Sequence, residues 1–226
     1  MIGVFDSGVG GLCAYKELRR LLPREDIIYL ADRKNSPYGT KTKDEIIALT
    51  KANIKRLSAY GAKKILIACC TASSVHSELL PEEQRLSIPI ISPAARLAGE
   101  LGERIAVIAT NHTANSGAFS REIRKTSDAC VFEFAEQKLV ALVEGGCRDG
   151  RVSSECKEEL LKIKNKIQEV NADVLILGCT HFSHLEGELK WLLPEVNIIS
   201  PASEGARELI KKIKCDRTGC GREIYM

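Results

Sequence analysis
Ile65-Leu-Ile-Ala-Cys-Cys-Thr71 and Leu175-Ile-Leu-Gly-Cys-Thr180 are two versions of one local pattern. Each is a short apolar run that ends in cysteine and threonine and then passes into a helical stretch. Apolar runs this short read as parallel strands covered on both faces. A weaker echo pairs Gly3–Gly11 with Ala106–Ser116. The strand candidates along the chain are Ile2–Phe5, Ile27–Leu30, Lys64–Ala68, Pro89–Ile91, Arg104–Ala109, Val174–Leu177 and Asn197–Ile199. Helical patterns lie between them. Thr42-x-x-Glu45 is a capping box and opens a helix whose predicted buried face uses Ile46, Ile47, Ile54 and Leu57. A later helix repeats Leu160, Ile163 and Ile167. Strand alternating with helix predicts an α/β fold with mainly parallel sheets flanked by helices.

The echoes predict two pseudo-symmetric α/β domains. The expected division is residues 1–92 plus 206–226 for the first and 93–205 for the second. In open α/β sheets ligands bind outside the carboxyl ends of the strands. Two such halves facing each other would bring both Cys-Thr corners into one cleft.

The bulk composition narrows the chemistry. The chain has 226 residues, 44% of them hydrophobic, enough for a substantial core. A net charge of +3 without a dense Lys/Arg stripe speaks against nucleic acid as a partner. Lys162, Lys164 and Lys166 read as a solvated helix face. No apolar run approaches the ~20 residues of a membrane span. The N-terminus lacks the charged region and apolar run of a secretion signal, so a reducing, cytoplasmic location is expected. There the nine cysteines are thiols, not a disulfide framework.

Cys69, Cys70 and Cys179 fall at predicted strand ends and helix starts. A helix N-terminus offers free N–H groups and partial positive charge, which lowers a thiol pKa. The same N–H groups, with the Thr71 and Thr180 hydroxyls, suit a carboxylate. His181 lies two residues after Cys179, placed to tune that thiol or to cap a helix. Cys-x-His supplies only two metal ligands, as does Cys215-x4-Cys220, so no metal site is expected. Asp6-Ser-Gly-Val-Gly-Gly11 follows the first strand but lacks the spacing of a dinucleotide fingerprint. Its glycines let the backbone approach a small ligand. Asp6 either acts as a base or thiol-orienting group or caps the next helix. Pro37-Tyr38-Gly39 is a turn signal, and Glu144 closes an apolar helix before Gly145-Gly146.

Taken in order, GVFDSGVGGL (3–12), ADRKNSPYGTKT (31–42), ACCTAS (68–73), AVIATNHT (106–113), LVEGG (142–146) and LGCTHF (177–182) resemble the glutamate racemases of the aspartate/glutamate racemase superfamily. The resemblance spans nearly the whole chain. It implies two α/β domains with the active site between them, no cofactor and no metal. It implies Cys69 and Cys179 as paired catalytic acid/bases, with Asp6 assisting Cys69 and Glu144 and His181 assisting Cys179. Asp6, Ser7, Pro37, Tyr38, Gly39, Cys70, Thr71, Thr113 and Thr180 would surround a small acidic amino acid. A homodimer is implied, as is a supply of D-glutamate for peptidoglycan. Cys69 would take the Cα proton from the D-isomer and Cys179 from the L-isomer.

The chain also departs from that pattern. The family's ACNTAS has Asn, a substrate contact, where this chain has Cys70, and a thiol is a poorer hydrogen-bonding group than an amide. Pro201-Ala202-Ser203 replaces an expected Asp-Ser-Gly, and Ser183 replaces a proline. These changes leave two alternatives: a racemase or epimerase for aspartate or another acidic substrate, and a non-catalytic binding protein on the same scaffold. Aligning the two corners by threonine sets Cys70 opposite Cys179. Aligning by the racemase motif sets Cys69 there.

Overall fold
The computed structural model describes residues 1–147, 150–213 and 221–226. Cys215 and Cys220 lie outside the described residues. Among the described residues, nine strands form two parallel sheets. The first sheet contains β1 (Ile2–Asp6), β2 (Ile27–Ala31), β3 (Lys64–Ile67), β4 (Ser87–Pro89) and β9 (Glu223–Tyr225), in the order β4-β3-β1-β2-β9. The second contains β5 (Arg104–Ala109), β6 (Cys130–Ala135), β7 (Val174–Gly178) and β8 (Asn197–Ile199), in the order β6-β5-β7-β8. Taken from its other edge, the second order is β8-β7-β5-β6, which repeats β4-β3-β1-β2 strand for strand. The α/β architecture with two pseudo-symmetric sheets is therefore as expected.

The strand register settles which residues correspond. Gly3, Val4 and Phe5 face Ile65, Leu66 and Ile67 across the β1–β3 pair. Ala106, Val107 and Ile108 face Leu175, Ile176 and Leu177 across β5–β7. With the echo Gly3–Gly11 laid on Ala106–Ser116, Ile67 matches Leu177 and the next residues follow in step. Cys69 then matches Cys179, and Cys70 matches Thr180. Alignment by threonine is excluded.

Three details differ from the sequence reading. The fourth strand is Ser87–Pro89, and Ile91 already belongs to a helix, Ile91–Leu101. Strands β6 and β9 were not anticipated. In the helix Lys43–Ala59 the capping box forms, with Thr42 Oγ1 accepting the Glu45 N–H and Glu45 Oε2 accepting the Thr42 N–H. Its buried face, however, is Ile46, Thr50, Asn53, Ile54 and Leu57, with Ile47 only half-buried. Thr50 and Asn53 complete a helical stripe that an apolar-only pattern leaves open.

One apolar cluster binds the two sheets together. Val4 and Leu66 of the first sheet and Val107, Val174 and Ile176 of the second share it with the helices Leu12–Leu21, Ile91–Leu101 and Pro201–Lys212. The last two meet through small residues, Ala94, Ala95, Ala98, Ala202 and Ala206. A Cβ on Gly205 would fall 2.3 Å from Ile90 Cγ2, so the contact needs glycine there. No helix among the described residues is long and apolar enough to cross a membrane.

Candidate active site
Cys69 and Cys179 are each the first or second residue beyond a strand, and both have extended backbones, φ −100° and −142°. The chain turns immediately afterwards, into a four-residue helix at Cys70–Ser73 and a 3-10 turn at Thr180–Leu185. Both thiols line one cavity with Ser7, Pro37, Tyr38, Gly39, Cys70, Thr71, Thr180 and His181. The cavity's free volume is about 10 Å³, roughly the space that one water needs.

The two corners are held by cross-half contacts of matching kind. Thr71 Oγ1 lies 3.1 Å from both Thr110 Oγ1 and Thr113 Oγ1, which are 3.0 Å from each other. On the other side, Thr180 Oγ1 donates to Asp6 Oδ2 at 3.2 Å. Gly10 is packed so closely there that a Cβ would sit 2.5 Å from Thr180 Oγ1. Each corner thus rests on the loop that follows the central strand of the opposite half.

Cys69 Sγ donates to Ser7 Oγ at 3.5 Å. Cys179 Sγ is 3.5 Å from His181 Nδ1. His181 Nε2 is buried and 3.4 Å from Glu144 Oε1, without the alignment of a hydrogen bond. The Glu144 side chain is 40% exposed, against 6% for His181, so the line from Cys179 through His181 ends at solvent.

Asp6 is wholly buried behind the cavity wall. Its carboxylate accepts the Gly8 N–H at 2.8 Å as well as the Thr180 hydroxyl. It does not cap the next helix, whose N-cap is Gly11. Thr113 also stands behind the wall, reaching the cavity through Thr71. Tyr38 is fixed from behind: its hydroxyl donates to Asp32 Oδ2 and accepts from Asn53 Nδ2.

The expected lowering of the thiol pKa values is not found. Burial pushes the Cys69 thiol up to about 11, with the Asp6 charge adding to the effect. Burial pushes Cys179 and Cys70 well above the ordinary thiol range. The turns after Cys69 and Cys179 are too short to build the dipole of a full helix, so desolvation wins. Asp6 is raised by the same cause, partly offset by His181 and by the N–H groups of Gly8 and Gly11.

Three residues of the lining were missed by the sequence reading: Thr110, Gln137 and Val140. A signal for the latter two exists. Gln137, Val140 and Glu144 stand at i, i+3 and i+7 on the helix Gln137–Glu144, and so share one face. The helix face that carries Glu144 leads back to Gln137.

Two parallel sheets of one topology, with matched thiols lining one cavity, define the class. A model of the Asp/Glu/Hydantoin racemase family matches residues 12–209, and the chain belongs to this family. It is 37% identical over 229 residues to the glutamate racemase of Persephonella marina, covering 100% of this chain and 87% of that protein. The fold is similar to the crystal structure of glutamate racemase from Francisella tularensis in complex with D-glutamate, with a TM-score of 0.89 and 31% identity over 99% of this chain and 85% of that one. Glutamate racemase from Thermus thermophilus, in complex with beta-chloro-D-alanine, gives a TM-score of 0.82 and 34% identity over 99% and 86%.

Proposed function
We propose that this protein interconverts L- and D-glutamate by moving protons at Cα between two thiols, with no cofactor and no metal. The observation that carries the reading is the correspondence of Cys69 and Cys179 across the two halves, with both lining one cavity. Glutamate is favoured over aspartate by the names and ligands of the similar proteins.

Both thiols are protonated in the free protein at neutral pH. A zwitterionic amino acid carries its own ammonium group into the cavity, and that charge favours one thiolate beside Cα, the Cys179 proton passing to solvent by way of His181 and Glu144. From L-glutamate, the Cys179 thiolate takes the Cα proton while the Cys69 thiol delivers its proton to the opposite face. The product is D-glutamate, with Cys69 left as thiolate and Cys179 as thiol. The return reaction exchanges the roles. Charge that develops on the substrate carboxylate is met by hydroxyl and N–H donors in a site that excludes water. Asp6 holds the Cys179 corner through the Thr180 hydroxyl while its charge bears on the Cys69 thiol, and His181 with Glu144 positions and relays protons for Cys179.

The reading extends to a cytoplasmic homodimer supplying D-glutamate for peptidoglycan, with domains at 1–92 plus 206–226 and at 93–205. The test is incubation of EDTA-treated protein with each L- and D-amino acid in D2O, following Cα-proton loss by NMR. Exchange and inversion of glutamate alone supports the proposal. Inversion of aspartate in preference to glutamate, or a requirement for added metal or pyridoxal phosphate, overturns it.

A further inference from the structure
Among the described residues lining the cavity, Gln137 carries the one side-chain amide, and no Lys, Arg, Asp or Glu reaches the lining. A dicarboxylate bound there must be held largely by neutral donors. Most of these are already engaged. Thr71 and Thr110 are paired with each other and with Thr113, while Ser7 accepts from the Cys69 thiol and keeps its own hydroxyl hydrogen to donate. Thr180 donates to Asp6, and Tyr38 donates to Asp32. Gln137 Oε1 accepts the Asn111 N–H at 3.3 Å, which leaves the NH2 group of Gln137 as a donor without a protein acceptor among the described residues.

The amide sits where the halves close. A Cβ on Gly39 would lie 2.9 Å from Gln137 Oε1, so Gln137 abuts the Tyr38–Thr40 turn of the opposite half. Across the cavity, Cys70 belongs to the apolar cluster with Val4 and Ala68 and offers only a weak thiol donor.

We infer that the Gln137 amide is a substrate-binding group that donates to a carboxylate of the amino acid, supplying from the second half the amide that position 70 lacks in the first. The inference rests on the proposed glutamate racemisation. Hydrogen bonds to a charged group are the strong ones, so the loss of this donor weakens binding far more than it alters proton transfer.

Four proteins test it: the parent, Gln137→Ala, Cys70→Asn and the double variant, each assayed for steady-state glutamate racemisation in both directions. Gln137→Ala raises KM about ten- to a hundredfold, with a much smaller change in kcat. Cys70→Asn alone lowers KM, and added to Gln137→Ala it restores most of the lost affinity. Such rescue is not expected if Gln137 merely starts its helix. A Gln137→Ala KM within twofold of the parent, or a double variant no better than Gln137→Ala, overturns the inference and leaves the racemase reading standing. A parent that does not racemise glutamate overturns both.

Discussion
Thr180 Oγ1 donates to Asp6 Oδ2 at 3.2 Å, joining residues 174 positions apart. This bond explains why the first strand ends in a fully buried carboxylate. Asp6 holds the corner that begins at Cys179, although its own strand lies in the half that carries Cys69. The two thiol sites are therefore positioned by each other's domains.

The burial of Asp6 has a cost in stability. Folding raises its pKa above 3.8, so ionisation is less favourable in the folded chain than in the unfolded one. The penalty is absent well below that value and grows as pH rises toward the folded pKa. Asp6→Asn, which keeps an acceptor for Thr180, is expected to melt at a higher temperature than the parent at pH 7, with no advantage below about pH 4. Its racemisation falls about 10²-fold or more. Melting curves across pH check this, and a variant less stable at pH 7 refutes it.

Cys69→Ala and Cys179→Ala should each abolish net racemisation while keeping one-sided exchange. In D2O, Cys69→Ala loses the Cα proton only from L-glutamate, and Cys179→Ala only from D-glutamate. Nearly full racemisation by either variant would exclude the two-thiol mechanism.

His181 lies between Cys179 and Glu144, so its loss should be felt on one face. His181→Asn slows Cα exchange from L-glutamate by about 10²–10⁴-fold and exchange from D-glutamate much less under single-turnover conditions. Equal slowing of both would make His181 a residue of general structure.

Gly10→Ala tests the seam itself. The added methyl would lie 2.5 Å from Thr180 Oγ1 and 3.0 Å from the His181 backbone nitrogen. The expected variant folds, because the clash falls between halves, but closes poorly and loses at least about tenfold in kcat/KM. Circular dichroism and kinetics together decide; unaltered kcat/KM shows that the seam need not close as seen.

The Cys69 thiol, pushed up to about 11, fixes the sign of the pH dependence. Because kcat/KM reports groups of the free enzyme, it should still be rising at about pH 8.5. A plateau beginning near pH 7 would mean that the free protein already holds a thiolate.

Much of the fold was legible because its inner strands are short apolar runs between helices. The omissions are edge strands. Among the described residues β6 pairs only with β5, most of its side chains are half-buried, and Glu133 within it accepts the Ser120 N–H and hydroxyl. Among the described residues β9 pairs only with β2, and it mixes Glu223 with Tyr225. Glu133 interrupts the otherwise apolar run of β6, and β9 is only three residues long, so neither is an unbroken apolar run. Within the site, Cys-Thr corners and glycine turns stood out because their residue types are unusual at strand ends. Gln137 did not, because Glu136-Gln137-Lys138 resembles ordinary helix surface until the opposite half is brought against it. The thiol pKa values failed for a different reason: local sequence showed the turns but not how completely both sulfurs are desolvated.

The matched placement of Cys69 and Cys179 has a consequence for evolution under thermodynamic constraint. Mirror-image substrates have equal free energies in water, so the Haldane relation forces kcat/KM to be the same in both directions for every variant. Mutation can redistribute that ratio between turnover and saturation but can never make the enzyme one-way. Where Cys70 replaces the counterpart of Thr180, the halves have already diverged, and their chirality of preference can surface only as unequal occupancy of the two enantiomeric complexes.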